Sequence, residues 1–139
     1  MKTPPEEKRL TNPKSISYTL IGKPIPLARP RFANGHVFDS QTKEKIIMGL
    51  QLNSHHKGRP LFAGLLRLDV IYFMPTPRAK KHLEGRYHGV RADLDNLIKM
   101  TLDTANGLLF HDDAQIAIIN ACKKYSREPR TEFTLTEIE

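Results

Sequence analysis

Hydrophobic and polar positions alternate over residues 16–21, with Ile16, Tyr18 and Leu20 on one face, and this predicts a first strand. Residues 22–40 then read as a long loop: Pro24, Pro26 and Pro30 interrupt ladder bonding, and Asn34-Gly35 is a turn signal. Residues 41–57 contain no proline and place Ile46, Ile47 and Leu50 at helical spacing, which predicts a helix capped by Ser40 and ended by Gly58-Arg59-Pro60. The strongest strand pattern lies at 65–74, where Leu66, Leu68, Val70 and Tyr72 share a face. Leu65, Ile71 and Phe73 populate the other face, so burial on both sides and a central position are expected.

Residues 75–91 form the next long connection, and connections longer than about 12 to 15 residues are usually functional or disordered. This one holds Arg78, Lys80, Lys81, Arg86 and Arg91, with His82 and His88 among them and Glu84 as its only acid. A second helix is predicted over 93–106 by the stripe of Leu94, Leu97, Ile98, Thr101, Leu102 and Ala105, with Gly107 where it stops. A polar corner, His111-Asp112-Asp113, precedes a strand at 115–125, a turn at 126–129 and a final antiparallel strand at 131–138. The order β-α-β-α-β-β belongs to the α+β (mixed α/β) class: a small mixed sheet of about four strands packed with two helices. One domain over 14–139 follows, with residues 1–13 a polar, proline-containing flexible tail.

Bulk properties narrow the function classes. A chain of 139 residues suits one domain, and no stretch approaches the roughly 20 apolar residues of a membrane span. The start of the chain has no apolar h-region, and the one cysteine, Cys122, allows no internal disulfide; a cytoplasmic protein is expected. Twenty-two Lys and Arg against 15 Asp and Glu give a net charge of +7, compatible with a polyanionic partner. The six histidines share no spacing and read as surface or loop residues, with His111 notable for its place beside Asp112.

Chemistry concentrates in Arg91-Ala-Asp-Leu-Asp-Asn-Leu-Ile-Lys99, followed by Asp103 and then Asp112-Asp113. Asp93 and Asp95 bracket a core-facing Leu94 at the start of a helix, where carboxylates two apart can still converge. Asp95, Lys99 and Asp103 lie four apart, on one helical face. The Asp112-Asp113 corner is expected to return to the start of this helix through the strand that follows it. Two like charges about 4 Å apart repel by on the order of 4 kcal/mol at an effective dielectric near 20. A hard divalent cation removes that cost, and an all-carboxylate site suits Mg2+, with Mn2+ as a substitute, over Zn2+. A metal of that kind beside Lys99 and a basic surface is what phosphodiester hydrolysis requires.

Each feature also has a plainer reading. Asp93 suits an N-cap, Asp95 a first-turn acid favoured by the helix dipole, and Asp112-Asp113 a polar turn. Lys99 with Asp95 or Asp103 suits an ordinary surface ion pair. Arg29 and Arg31, flanking Pro30, fit a phosphate contact and a solvated loop equally well.

Taken together, these residues resemble the RusA-like Holliday junction resolvases (crossover junction endodeoxyribonucleases). The hallmark is Asp-x-Asp-Asn-Leu, a lysine four residues after the second Asp, a helix, and an Asp-Asp-x-Gln corner. Here it stands as Asp93-Leu-Asp-Asn-Leu-Ile-Lys99, then Asp103, Asn106-Gly107 and Asp112-Asp113-Ala-Gln115. The core match covers residues 91–116, and weaker agreement extends to Gly22-Lys-Pro and Arg29-Pro-Arg31. The resemblance implies a homodimer that cuts a four-way DNA junction in recombination and repair, using Mg2+. By position, Asp93, Asp95 and Asp113 would be the metal carboxylates and Lys99 the essential lysine. Arg29, Arg31, Arg78, Lys80, Lys81, Arg86 and Arg91 are the candidate DNA contacts. The two-fold symmetry of a four-way junction independently calls for two sites in a C2 dimer. Competing readings are a basic protein that binds branched DNA without cutting it, a magnesium nuclease acting on RNA or single strands, and a structural role with no Mg2+ binding.

Overall fold

The computed structural model describes residues 14–139, so the tail expected at 1–13 lies outside the described residues. Eight elements follow in order: β1 (Ser15–Ile21), β2 (Arg31–Ala33), β3 (His36–Phe38), α1 (Thr42–His56), β4 (Leu66–Pro75), α2 (Leu94–Ala105), β5 (Ile116–Ser126) and β6 (Arg130–Glu137). Four strands form one mixed sheet in the order β1-β6-β4-β5, while β2 and β3 pair only with each other. This is the α+β (mixed α/β) architecture the pattern predicts.

β4 is central because both its edges are paired, antiparallel to β6 and parallel to β5. A parallel pair needs a long crossover, and α2 provides it. The final strand does not fold back on β5: it inserts between β4 and β1, antiparallel to both. The turn at 126–129 therefore carries the chain across β4, a choice that local sequence does not encode.

Period-two alternation places Ile16, Tyr18 and Leu20, the even-numbered residues of β4, and Phe133 and Leu135 on one face. Leu52 of α1, Leu97 and Ala105 of α2, and Phe62, Leu109 and Phe110 complete the core against that face. Tyr72 donates its hydroxyl to Thr101 Oγ1 at 2.7 Å, because Thr101 already donates to the Leu97 carbonyl. Each buried hydroxyl is thereby satisfied.

The opposite sheet face differs from expectation. Ile71 and Phe73 are only half-buried, in a lattice of polar pairs that includes Ser15–Thr136, Ser17–Thr134, Arg67–Asp69 and Arg130–Glu132. β4 is central by lateral pairing, not by burial on both sides.

Helix α1 also turns a different face inward. Ile46, Ile47 and Leu50 are exposed, while Gly49, Leu52 and His56 are buried. The sheet selects the row containing Leu52 and His56 because His56 there meets Tyr18. His56 Nε2 lies 3.1 Å from the Pro60 carbonyl, which can only accept, so Nδ1 accepts from the Tyr18 hydroxyl at 2.8 Å. Ser40 does not cap the helix: Gln41 occupies the N-cap position without a side-chain cap bond. His56 is buried within α1, which corrects the reading of all histidines as surface or loop residues; His88 lies in the 75–91 connection but is buried as well.

The 22–40 connection is not a plain loop. Asn34 and Gly35 both adopt positive φ, 51° and 78°, and close β2 and β3 into a hairpin. Two successive positive φ values define the tight turn that matches strand twist, and Asn-Gly adopts it at least cost.

Candidate active site

Asp93 sits at the N-cap of α2 in extended conformation, with Asp95 in the first turn. The capping role that would explain Asp93 structurally is not used, since its side chain accepts no cap hydrogen bond. Asp95 pairs only loosely with Lys99, 3.9 Å away, and both side chains are well exposed. Two carboxylates and an ammonium thus stand at the solvent face of one helix start, where the helix dipole favours negative charge.

Long-range contacts hold that start in place. Lys123 Nζ on β5 donates to the carbonyls of Val90 and Ala92, each at 2.7 Å. Leu27 N donates to the Asn96 carbonyl at 2.9 Å, laying the Lys23–Leu27 segment along α2. A shallow cavity of about 380 Å³ results, lined by Lys23, Leu27, Arg91, Asp93 and Asn96.

The basic connection after β4 is ordered. Arg78–Leu83 forms a short 3₁₀ segment, and residues 85–88 then zip antiparallel onto β5 through Gly85 N to Tyr125 O, Tyr125 N to Arg86 O and His88 N to Lys123 O. Glu84 fixes the bend, accepting from Thr76 Oγ1 and from Arg127 N, and these two bonds hold its carboxyl below the ordinary range. His88 packs on Tyr125 with ring centroids 4.6 Å apart, and burial with the nearby Lys123 charge lowers its pKa. Arg29, Arg31, Arg78, Lys80, Lys81, Arg86 and Arg91 are all exposed.

At the other end of α2 lies the acidic corner. Asp112 accepts from Ala114 N at 3.0 Å, and Gln115 Oε1 accepts from the amides of His111 and Asp112. Gln115 Nε2 donates to the carbonyls of Phe62 and Gly64, both at 2.9 Å, which locks the corner to the start of β4. Asp112 is thus consumed in capping, and Asp113 is left projecting. Its pKa is raised by the hydrogen-bonded carboxylate of Asp112, by burial, and by the charges of Asp112 and Asp103. Asp103 in turn binds Lys45 at 2.7 Å, and Lys45 also binds Asp39 at 2.6 Å.

One expectation fails within a single chain. Because β4 and β5 are parallel, α2 runs back between them, so its start lies at the far end of β5 and its finish beside the corner. A twelve-residue helix is roughly 18 Å long. Asp113 therefore keeps company with Asp103, not with Asp93 and Asp95. Among the described residues, no three His, Cys, Asp or Glu side chains are grouped closely enough to hold a metal ion. The donors are the hard oxygens a divalent cation takes: Asp93 makes no cap bond, and the neighbouring acids Asp112 and Asp103 raise the pKa of Asp113.

The model for the endodeoxyribonuclease RusA family matches residues 22–136. The chain belongs to the RusA endodeoxyribonuclease family. It is also 30% identical over 137 residues to a protein described as the uncharacterized protein YqaN of Bacillus subtilis (strain 168), covering 88% of this chain and 96% of that one. The matched span takes in both ends of α2, the hairpin and the zipped basic segment. No helix among the described residues is long and apolar enough to cross a membrane.

Sequence reasoning missed Lys123, Lys45 and the double anchoring by Gln115. The first two act across elements distant in the chain and leave no local signal. Gln115 was visible as part of the motif, but its carbonyl partners were not.

Proposed function

We propose that this RusA-family chain is a structure-specific endodeoxyribonuclease that resolves four-way DNA junctions in recombination and repair, in the cytoplasm, by paired hydrolytic cuts. The observation that supports it most is the start of α2, where Asp93 makes no cap bond and Asp95 pairs only loosely with Lys99, at 3.9 Å. Mg2+, or Mn2+ in its place, would be held by Asp93, Asp95 and Asp113, and would supply a water of lowered pKa and positive charge against the phosphate. Lys99 donates from its ammonium to a phosphate oxygen and offsets the charge that builds in hydrolysis. Arg91, at the cavity rim, holds the flanking phosphate. The exposed Arg78, Lys80, Lys81 and Arg86 track the backbone further out, and Arg29 and Arg31 do so from the hairpin.

The separation of Asp113 from Asp93 and Asp95 favours a homodimer in which each site draws on both chains. About a two-fold axis, the corner of one copy meets the helix start of the other, and the exchange occurs twice. Two equivalent sites then match two equivalent strands of a junction.

The test is cleavage of a labelled four-way junction with Mg2+, beside linear duplex of the same sequence, RNA and the Asp95→Asn variant. Symmetric nicks on the junction alone, lost in Asp95→Asn, are the expected result. Salt-sensitive binding without cutting, unchanged by the substitution, would leave a non-catalytic branched-DNA binder. Preferential cutting of RNA or single strands would favour the other nuclease reading.

A further inference from the structure

The β2–β3 hairpin carries apolar surface that the fold does not use. Phe32 and Val37 are directly paired across it, and they are 72% and 68% exposed. They share one face of the ribbon, while Arg31 and Phe38 pair on the other. Facing each other across the ribbon, the phenyl ring and the valine stabilise it only modestly, and most of their apolar surface is left for a partner.

The leading leg of the ribbon is tied directly to α2, and the trailing leg reaches it through Lys45 of α1. The leading leg is tied where Leu27 N meets the Asn96 carbonyl. The trailing leg is tied through Asp39, which accepts from Lys45, whose ammonium also binds Asp103. Gln41 closes the base, accepting from Ala28 N and donating to the Pro26 carbonyl. The ribbon is thus tied to the helix whose exposed row bears Asp95, Lys99 and Asp103. From Gly22 to Phe38 there is no acid, while Lys23, Arg29 and Arg31 supply positive charge around the apolar pair. That complementarity selects a polyanion over a protein surface.

We infer that the hairpin is a wedge: Phe32, backed by Val37, stacks on base pairs laid open at the DNA branch point while Arg29 and Arg31 hold the adjoining phosphates. Apolar side chains cannot read hydrogen-bonding edges. What they gain from DNA is stacking and the separation of base steps, which costs least where pairing is already interrupted. This rests on the junction-cutting reading above and adds to it the source of preference for branched over linear DNA.

The experiment places 2-aminopurine at the branch point of a four-way junction and follows its fluorescence as full-length protein is added without divalent ions, comparing wild type with the Phe32→Ala/Val37→Ala variant. Both side chains are exposed, so thermal unfolding should be unchanged and serves as the folding control. The expected result is a fluorescence rise with wild type that the variant loses, junction affinity weakened about tenfold, and linear-duplex affinity within about twofold of wild type. An equal fluorescence rise in the variant would overturn the wedge even if wild type cuts junctions normally. A variant that becomes monomeric by light scattering would overturn it in favour of a protein contact. Wild type that neither binds nor cuts junctions would remove the underlying reading as well.

Discussion

Lys123 on β5 donates from its ammonium to the carbonyl of Ala92 at 2.7 Å, joining the last third of a strand to the residue preceding the N-cap of α2. It makes the same bond to Val90. The position of Asp93 is therefore set by a side chain thirty residues further along the chain, as well as by the helix that Asp93 begins.

Replacing Lys123 with Met should keep the aliphatic stem and remove both bonds. A loss of about 1–3 kcal/mol of stability is expected, each bond being charge-assisted. Junction cleavage should fall more than about tenfold while junction binding through the hairpin persists. Cleavage rate and affinity measured on the same preparation check this. A parallel loss of both would mean that Lys123 supports the whole fold and not the site.

Composite sites make a prediction about mixtures. Asp95→Asn and Asp113→Asn should each be inactive alone. When the two are unfolded together and refolded, the mixed dimer regains one intact site, so about a quarter of wild-type nicking should return. If all three acids act within one chain, every site in the mixed dimer carries a defect and nothing returns.

Gln115 anchors the corner through two amides and two carbonyls. Gln115→Ala should cost about 2–4 kcal/mol, since partly buried carbonyls lose their donors and the cap opens. Denaturant unfolding reads the loss. A change below about 0.5 kcal/mol would show that water replaces the side chain without penalty.

Asp39 is held below its ordinary value of 3.8 by its hydrogen bond from Lys45 and by the Gln41 amide. A carboxyl depressed in the folded state stabilises the fold above its unfolded pKa, and that contribution disappears as pH falls through the folded pKa. Lys45 is shifted up by Asp103 and then Asp39, so its share is complete below 10.5 and fades only as pH rises beyond it. Asp39→Asn should accordingly lower stability in the neutral range, leave the acid extreme little changed, and so flatten the decline below pH 3.8. Thermal unfolding from pH 2 to 7 is the measurement, and an unchanged acid limb would count against the pairing.

Neutralising Arg78, Lys80 and Lys81 to Gln should lower the slope of log affinity against log salt by up to about 2.7, at about 0.9 per phosphate contact. An unaltered slope would place the 3₁₀ segment away from DNA.

The chain's own pattern determined the strands and helices, because each depends on local periodicity: Leu66, Leu68, Val70 and Tyr72 could face only one side of a strand. The residue chemistry of Asp93, Asp95, Lys99 and Asp113 was equally legible, since a motif records spacing. Asn34-Gly35 announced a turn, and the structure made it a hairpin because two positive φ values in succession suit that connection. Tertiary structure alone decided that α1 buries Leu52 and His56 and exposes Ile46, Ile47 and Leu50, because helical spacing does not say which row meets the sheet. It alone decided that β6 lies between β1 and β4. Above all it separated Asp113 from Asp93, because the parallel pairing of β4 with β5 forces α2 to run its full length between them. Sequence distance along a motif fixes which groups are present, while strand direction fixes which of them can meet.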